Sequence, residues 1–139
     1  MSRPVPTLDP VFVAKRLAAL EHHLAVLDRI LADERSDDDL PGIFSFIASV
    51  EACREVAAHG VAKARARRSC GDADAFAVLS EAGLLDAGLA KALGRAARAR
   101  DKYLHLYWAI DGAEVAAAIA QARPALGDFV AWATARVAT

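Results

Sequence analysis

One short segment of the chain concentrates the side chains that can do chemistry. It runs from residue 100 to residue 107 and contains two cations, a carboxylate, an imidazole and two phenols. The imidazole of His105 can move a proton near neutral pH, because histidine has an ordinary pKa of about 6.5. The guanidinium of Arg100 is always charged, and its fork of donors matches phosphate oxygens. Together these two groups indicate chemistry on a phosphate ester.

Helical geometry limits how these groups can meet. On an ideal helix each residue turns by about 100°, so Arg100 and Tyr107 share nearly one face. His105 then lies about 140° from Arg100, and one unbroken helix cannot direct both to one point. Either the helix ends near residues 104–105, or a second chain supplies the missing group. A purely structural alternative makes His105 a hydrogen-bonded boundary histidine, and Tyr107 and Trp108 core aromatics.

The pattern Arg-x4-His-x-Tyr, formed by Arg100, His105 and Tyr107, resembles the signature of the HepT family of HEPN-domain ribonuclease toxins. The run that follows, residues 108–111, has the sequence Trp-Ala-Ile-Asp and is similar to a segment often found there. Asp101 departs from the family pattern, which more often has Asn at this position. Its carboxylate could orient Arg100 or repel the scissile phosphate.

The resemblance extends beyond the motif, from about Val11 to Val137. In the second predicted helix, Cys53, Ala57 and His59 follow a Cys-x3-Ala-x-His spacing that is similar to the family's. The residues alone favour a small core role for Cys53, because no base lies near it at helical spacing. They also favour a hydrogen-bonded, partly buried histidine at position 59 rather than a catalyst.

The resemblance implies a metal-independent endoribonuclease toxin of a bacterial toxin–antitoxin pair. His105 and Arg100 would be its catalytic residues, with Asp101 in support, and the active groove would lie at a two-fold homodimer interface. The partner would be a minimal nucleotidyltransferase antitoxin that adds AMP to Tyr107 and thereby blocks RNA. Tyr103 is a competing acceptor that does not match the family position. The alternative is a catalytically weak HEPN module that binds the nucleotidyltransferase or a nucleotide.

Two basic runs supply candidates for RNA contact. The first precedes the motif and overlaps it, and the second lies at the end of the second predicted helix. The candidates are Arg95, Arg98, Lys102, Arg65 and Arg68. Cations at the end of a helix also suit its dipole, which is the simpler explanation for the second run.

Composition restricts the class of protein. The chain has 139 residues, which predicts one domain over residues 1–139 with a short tail at residues 1–8. The formal net charge is −1, so any affinity for nucleic acid must come from a local patch. Two cysteines form no disulfide framework and favour a reduced, cytoplasmic setting. The sequence shows no membrane span, no set of metal ligands and no need for a cofactor.

Apolar residues at spacings of three and four predict an all-α, mostly up-and-down bundle of about five helices. Capping residues and glycines set the expected bounds. The predicted helices run from Pro10 to about Ala32, from Pro41 to about Arg68, from Ala73 to Ala82, from Asp86 onward, and from Asp111 onward with Pro124 inside.

Overall fold

The computed structural model describes residues 7–33, 40–68, 70, 74–105 and 111–137. Within these ranges lie five helices: α1 (Pro10–Asp33), α2 (Leu40–Ala64), α3 (Asp74–Glu81), α4 (Ala87–His105) and α5 (Gly112–Ala135). The described residues form no strand, and an isolated parallel bridge joins Leu8 to Val137. The prediction of an all-α fold with about five helices is confirmed. No described helix has the length and hydropathy that crossing a membrane requires.

Helices α1 and α2 run antiparallel. Near the start of α1, Arg16 Nε donates to Glu55 Oε2 at 2.8 Å. Further along α1, His23 Nδ1 lies 3.2 Å from Ser45 Oγ, which is earlier in α2. The residue numbers rise on one helix as they fall on the other, so the start of α2 lies beside the later part of α1.

Helices α2 and α4 are antiparallel as well. The rings of Phe46 and Tyr103 meet edge to face with centroids 5.8 Å apart. Further along α2, Glu51 Oε2 lies 2.9 Å from Arg100 Nη2. The beginning of α2 and the end of α4 therefore share one end of the bundle, which we call the motif end.

The apolar stripes of the helices close on a core built around aromatic rings. Phe76 and Phe129 meet edge to face at 5.9 Å, and Phe129 stacks on Trp132 at 5.3 Å. The indole nitrogen of Trp132 donates to the carbonyl oxygen of Leu84 at 2.8 Å, so its polar atom is satisfied inside the protein. Helix α5 continues through Pro124, which lies on its exposed side.

The end of α2 differs from the prediction. The helix ends at Ala64 rather than near Arg68, so the cations at 65–68 do not extend it. Arg65 has φ 53°, in the left-handed region. The amide of Arg65 donates to Ala62 O and that of Ala66 to Val61 O, which together form a Schellman cap. Helix propensity alone gave no sign of this end, because the capping position holds arginine instead of glycine.

Helix α3 closes with the same cap on the expected residue. Gly83 has φ 77° and its amide donates to Ser80 O, while the amide of Leu84 donates to Leu79 O. A Cβ placed on Gly83 would meet no atom within 4 Å. Any penalty for a side chain at this position therefore comes from the backbone conformation and not from a clash.

These two caps predict opposite effects from paired substitutions. Gly83→Ala should lower the free energy of unfolding by about 1 kcal/mol, because left-handed backbone disfavours a Cβ. Arg65→Gly should raise the free energy of unfolding by up to about 1 kcal/mol, because glycine removes the strain of the left-handed backbone at this position. The greater freedom of glycine in the unfolded chain offsets part of this gain. Thermal unfolding by circular dichroism would show shifts of about 3 °C. A fall in melting temperature for both variants would contradict this account.

Candidate functional site

The guanidinium of Arg100 lies between two carboxylates. The side chain is only 12% exposed and faces α2. Its Nη2 lies 2.9 Å from Glu51 Oε2, and its Nη1 donates to Asp101 Oδ1 at 2.8 Å. The Asp101 carboxylate therefore pairs with Arg100 in the structure.

Glu51 belongs to this site, although no motif in the sequence indicates a chemical role for it. Arg54, one turn further along α2, donates from Nε to Glu51 Oε2 at 3.2 Å and from Nη2 to Oε1. The hydrogen bond from Arg54 lowers the pKa of the Glu51 carboxyl, helped by the charges of Arg54 and Arg100 and opposed by partial burial. Glu51 is therefore a fixed anion beside Arg100. Its partner lies 49 positions away, so no local pattern could have revealed the pair.

His105 points elsewhere. Both Arg100 and His105 lie within α4, and His105 is exposed at the end of the helix. The helical turn of about 140° between them therefore holds, and one chain does not bring the two groups together. Tyr107 lies outside the described residues.

The predicted RNA-contact residues of α4 share a face with His105. Positions 91, 95, 98, 102 and 105 are spaced by four, three, four and three residues, which keeps them within about 40° of one direction. All five are exposed, and we call this row the α4 cationic face. It consists of Lys91, Arg95, Arg98, Lys102 and His105. Lys102 also forms an ion pair with Glu114 of α5.

The other two candidates, Arg65 and Arg68, follow the end of α2 and are exposed. Because α2 and α4 are antiparallel, this position is at the end of the bundle away from His105. Arg67, between them, donates to Glu81 Oε2 at 2.7 Å and to Asp74 Oδ2 at 2.9 Å, so it fixes the segment against α3. Arg65 and Arg68 therefore lie far from the motif, beyond the beginning of α4.

Cys53 lies two residues after Glu51 on α2, and His59 lies further along the same helix. Cys53 is fully buried, and burial raises the pKa of its thiol. His59 Nε2 accepts a hydrogen bond from the amide of Asp9 at 3.0 Å, and its ring stacks on Phe12 with centroids 4.5 Å apart. Both residues have the structural roles that the residue types favoured.

The His59 contact predicts that stability depends on pH. Burial lowers the pKa of His59, as do the charges of Lys63 and Arg16, while Asp9 raises it. The unfolded chain then binds a proton more readily than the native one, so the stabilisation is complete above about pH 6.5 and decreases as the pH falls below it. Urea unfolding measures the free energy of unfolding at pH 7.5 and at pH 5.5. Between these two values it should fall less for His59→Gln than for the natural chain. Equal losses would rule out His59 as the source.

In the described part of the chain, no three His, Cys, Asp or Glu residues are placed to hold a metal ion. The described surface near α4 carries two grooves of similar size. One, of about 440 Å³, lies between α4 and α5 over Phe46, with mainly alanines on its walls. The other, of about 450 Å³, lies between α3 and α4 beside Lys91 and Arg95.

A family model and several solved structures match this chain. The model of a family described as HepT-like, ribonuclease HepT-like, matches residues 18–132. No curated protein matches the chain. Among solved structures, a toxin–antitoxin complex with AMP-PNP has a similar chain, with a TM-score of 0.81 and 16% identity over 89% of this chain and 98% of that one.

Two further solved structures have the same fold. The tri-AMPylated HEPN toxin of Shewanella oneidensis, in complex with an MNT antitoxin, has a TM-score of 0.80 and 16% identity over 89% of this chain and 97% of that one. The cytosolic protein YutE of Bacillus subtilis, of unknown function, has a TM-score of 0.79 and 18% identity over 94% and 91%. The five helices are therefore arranged as in these proteins.

Proposed function

Because the chain belongs to the HepT-like family of the HEPN superfamily, we propose that it is a metal-independent endoribonuclease toxin that a nucleotidyltransferase antitoxin neutralises. The observation that carries the proposal is the fixed position of Arg100 within the family motif. Two carboxylates, from Glu51 and Asp101, hold its guanidinium at the motif end of the bundle. A cation in a fixed position can stabilise the charge that develops on a phosphate.

The reaction needs no external nucleophile. The 2′-hydroxyl of the substrate attacks the adjacent phosphorus, and His105 takes up its proton or delivers one to the leaving 5′-oxygen. Arg100 stabilises the additional charge of the phosphorane. The P–O5′ bond breaks, which leaves a 2′,3′-cyclic phosphate on one product and a 5′-hydroxyl on the other. Arg95, Arg98 and Lys102 are proposed contacts for the RNA backbone.

A homodimer would complete the site, since Arg100 and His105 diverge on α4. Two of the three large hydrophobic side chains that are exposed in the described residues support this arrangement: Phe44 is 65% exposed and Leu104 is 45% exposed. Phe44 precedes Glu51 by seven residues, so these two share a face of α2. Leu104 follows Arg100 by four residues, so these two share a face of α4. The Glu51–Arg100 pair lies between α2 and α4, and the proposal is that a second copy covers the exposed apolar side chains on these two helices.

The dimer can be tested with charge substitutions. Phe44→Glu combined with Leu104→Glu should shift the protein to a monomer, because burying two carboxylates in an apolar interface is costly. Light scattering after size-exclusion chromatography, at micromolar concentration, measures the mass. Val11→Glu is the matched control, since Val11 is 68% exposed but lies at the beginning of α1, away from the motif end. A natural chain that is monomeric would contradict the proposal.

The burial of Tyr103, the other candidate acceptor, supports the choice of Tyr107 as the residue that receives AMP. Tyr103 is only 3% exposed, and its hydroxyl donates to Glu114 O at 3.5 Å. Burial raises the pKa of the Tyr103 phenol, and the charge of Glu114 adds to this effect. A buried phenol that rarely ionises is a poor substrate for an external enzyme. The AMPylated HEPN toxin among the structural relatives supports the same type of modification.

One observation favours the alternative function, a weak HEPN module that binds the nucleotidyltransferase or a nucleotide. Glu51 and Asp101 place two negative charges beside Arg100, and both would repel a substrate phosphate. Asp101→Asn removes one of these charges and keeps a hydrogen-bonding side chain. If the carboxylate limits cleavage, this variant should cut RNA faster than the natural chain.

The decisive experiment is an RNase assay on protein produced without the nucleotidyltransferase. Intact mass first establishes that the chain carries no AMP. The unmodified protein should then cleave RNA in EDTA and leave cyclic phosphate ends. If the unmodified dimer does not cleave RNA, the ribonuclease proposal is overturned. The alternative function, a HEPN module that binds the nucleotidyltransferase or a nucleotide, would then remain.

A further inference from the structure

The α4 cationic face forms a row that continues well beyond the catalytic candidate. From Lys91 to His105 it covers fifteen residues, or about 21 Å of helix. Helix α4 contains no acidic residue before Asp101. The whole chain has a net charge of −1, so this row is a local concentration of positive charge and not part of a generally basic surface.

The groove between α3 and α4 lies along the half of this row that is distant from His105. Lys91, Arg95 and Arg98 line it on the α4 side, and its volume is about 450 Å³. None of these three cations pairs with a carboxylate of the described residues. The acidic residue in the lining, Glu81, is already held by Arg67 at 2.7 Å. The groove therefore presents cations whose charge is not locally neutralised.

The chemistry of the lining selects among anionic ligands. The described lining residues include no aromatic side chain, so nothing there would stack a base. Arginine and lysine in a row instead match the repeating phosphates of a nucleic-acid backbone. Two small residues, Ala90 and Gly94, line the groove beside the cations of α4. Their small size lets an extended strand approach the helix closely.

We infer that the α3/α4 groove is a second RNA subsite, which binds the phosphates of a single-stranded segment that extends from the cleavage position at His105 along α4 towards Lys91. This inference rests on the proposed ribonuclease function. Lys91 becomes a substrate contact, and Lys102 contributes less because Glu114 neutralises it. Binding at the subsite depends on salt and on the length of the RNA, and not on its base sequence.

The test measures RNA affinity against salt concentration. A fluorescent single-stranded RNA is titrated into the protein in a His105→Ala background, which prevents cleavage. The slope of log Kobs against log salt is negative, and on single strands each lost phosphate contact reduces its magnitude by about 0.7. The variant Lys91→Ala/Arg95→Ala should therefore reduce that magnitude by about 1.4. Alanine is the best helix former, and melting curves check that the double variant remains folded.

A matched control removes the same charge elsewhere. Lys15 and Arg29 are exposed on α1, and Lys15→Ala/Arg29→Ala should leave the slope unchanged. A second readout is substrate length: in protein with His105, KM should fall as the RNA is lengthened, and the Lys91→Ala/Arg95→Ala variant should lose this gain.

Three results would overturn the inference, and they are distinguishable. If the natural chain cleaves RNA, and the double variant keeps the full slope and still co-purifies with the nucleotidyltransferase, the subsite is absent while the ribonuclease proposal stands. If the slope is unchanged but the variant no longer co-purifies with the nucleotidyltransferase, the face binds the antitoxin. If the natural chain neither binds nor cleaves RNA, both proposals fail.

Discussion

His105→Ala is expected to abolish detectable RNA cleavage, because losing a general acid–base usually costs about 10²–10⁴-fold in rate. The side chain is exposed at the end of α4, so its removal should leave helical content and melting temperature nearly unchanged. Cleavage by the natural chain should persist in EDTA. Arrest by EDTA with recovery in Mg²⁺ would show that the metal-free mechanism is wrong.

Arg100→Ala should also abolish cleavage, but with a second effect. Its guanidinium is paired with Glu51 and Asp101. Truncation leaves the Asp101 carboxylate without its counter-ion and leaves Glu51 with Arg54 alone. We therefore expect a lower melting temperature, although the spectrum stays helical. Arg100→Lys is the informative companion, since it keeps the charge but loses the planar fork. Full activity in Arg100→Lys would indicate that the charge alone matters.

Tyr107→Phe is expected to remove neutralisation by the nucleotidyltransferase. The natural chain, incubated with a cognate enzyme, ATP and Mg²⁺, should gain AMP on Tyr107 and stop cutting RNA. The α-phosphate forms a bond to the phenol oxygen, pyrophosphate leaves, and the phenol proton passes to solvent. An added phosphodiester brings negative charge and bulk to the motif and repels the substrate phosphate. The phenylalanine variant keeps the ring and lacks the acceptor oxygen.

Peptide mass spectrometry of the treated protein locates the modification. Tyr103→Phe serves as the control and should be modified as fully as the natural chain, because Tyr103 is buried against Phe46. Its substitution also tests whether loss of the hydrogen bond to Glu114 disturbs the site. AMP confined to Tyr103, or no AMP with an enzyme that is active on another substrate, would refute the assignment.

The sequence by itself determined the helices and several of their ends, because these depend on contacts within a few residues. Asp9 accepts from the amides of Val11 and Phe12, as its place before Pro10 predicts. Asp111 likewise accepts from the amide of Ala113. The divergence of the motif residues on α4 also followed from helical rotation alone.

The tertiary structure decided which charges meet. Glu51 and Arg100 are brought together by the antiparallel packing of α2 and α4, and no periodicity within either helix encodes that register. The same packing turns Arg100 towards α2 and leaves the α4 cationic face, which includes His105, exposed. A helical wheel shows that such faces exist, but which of them is buried depends on the shape and apolar area of the neighbouring helices, which only the assembled core supplies.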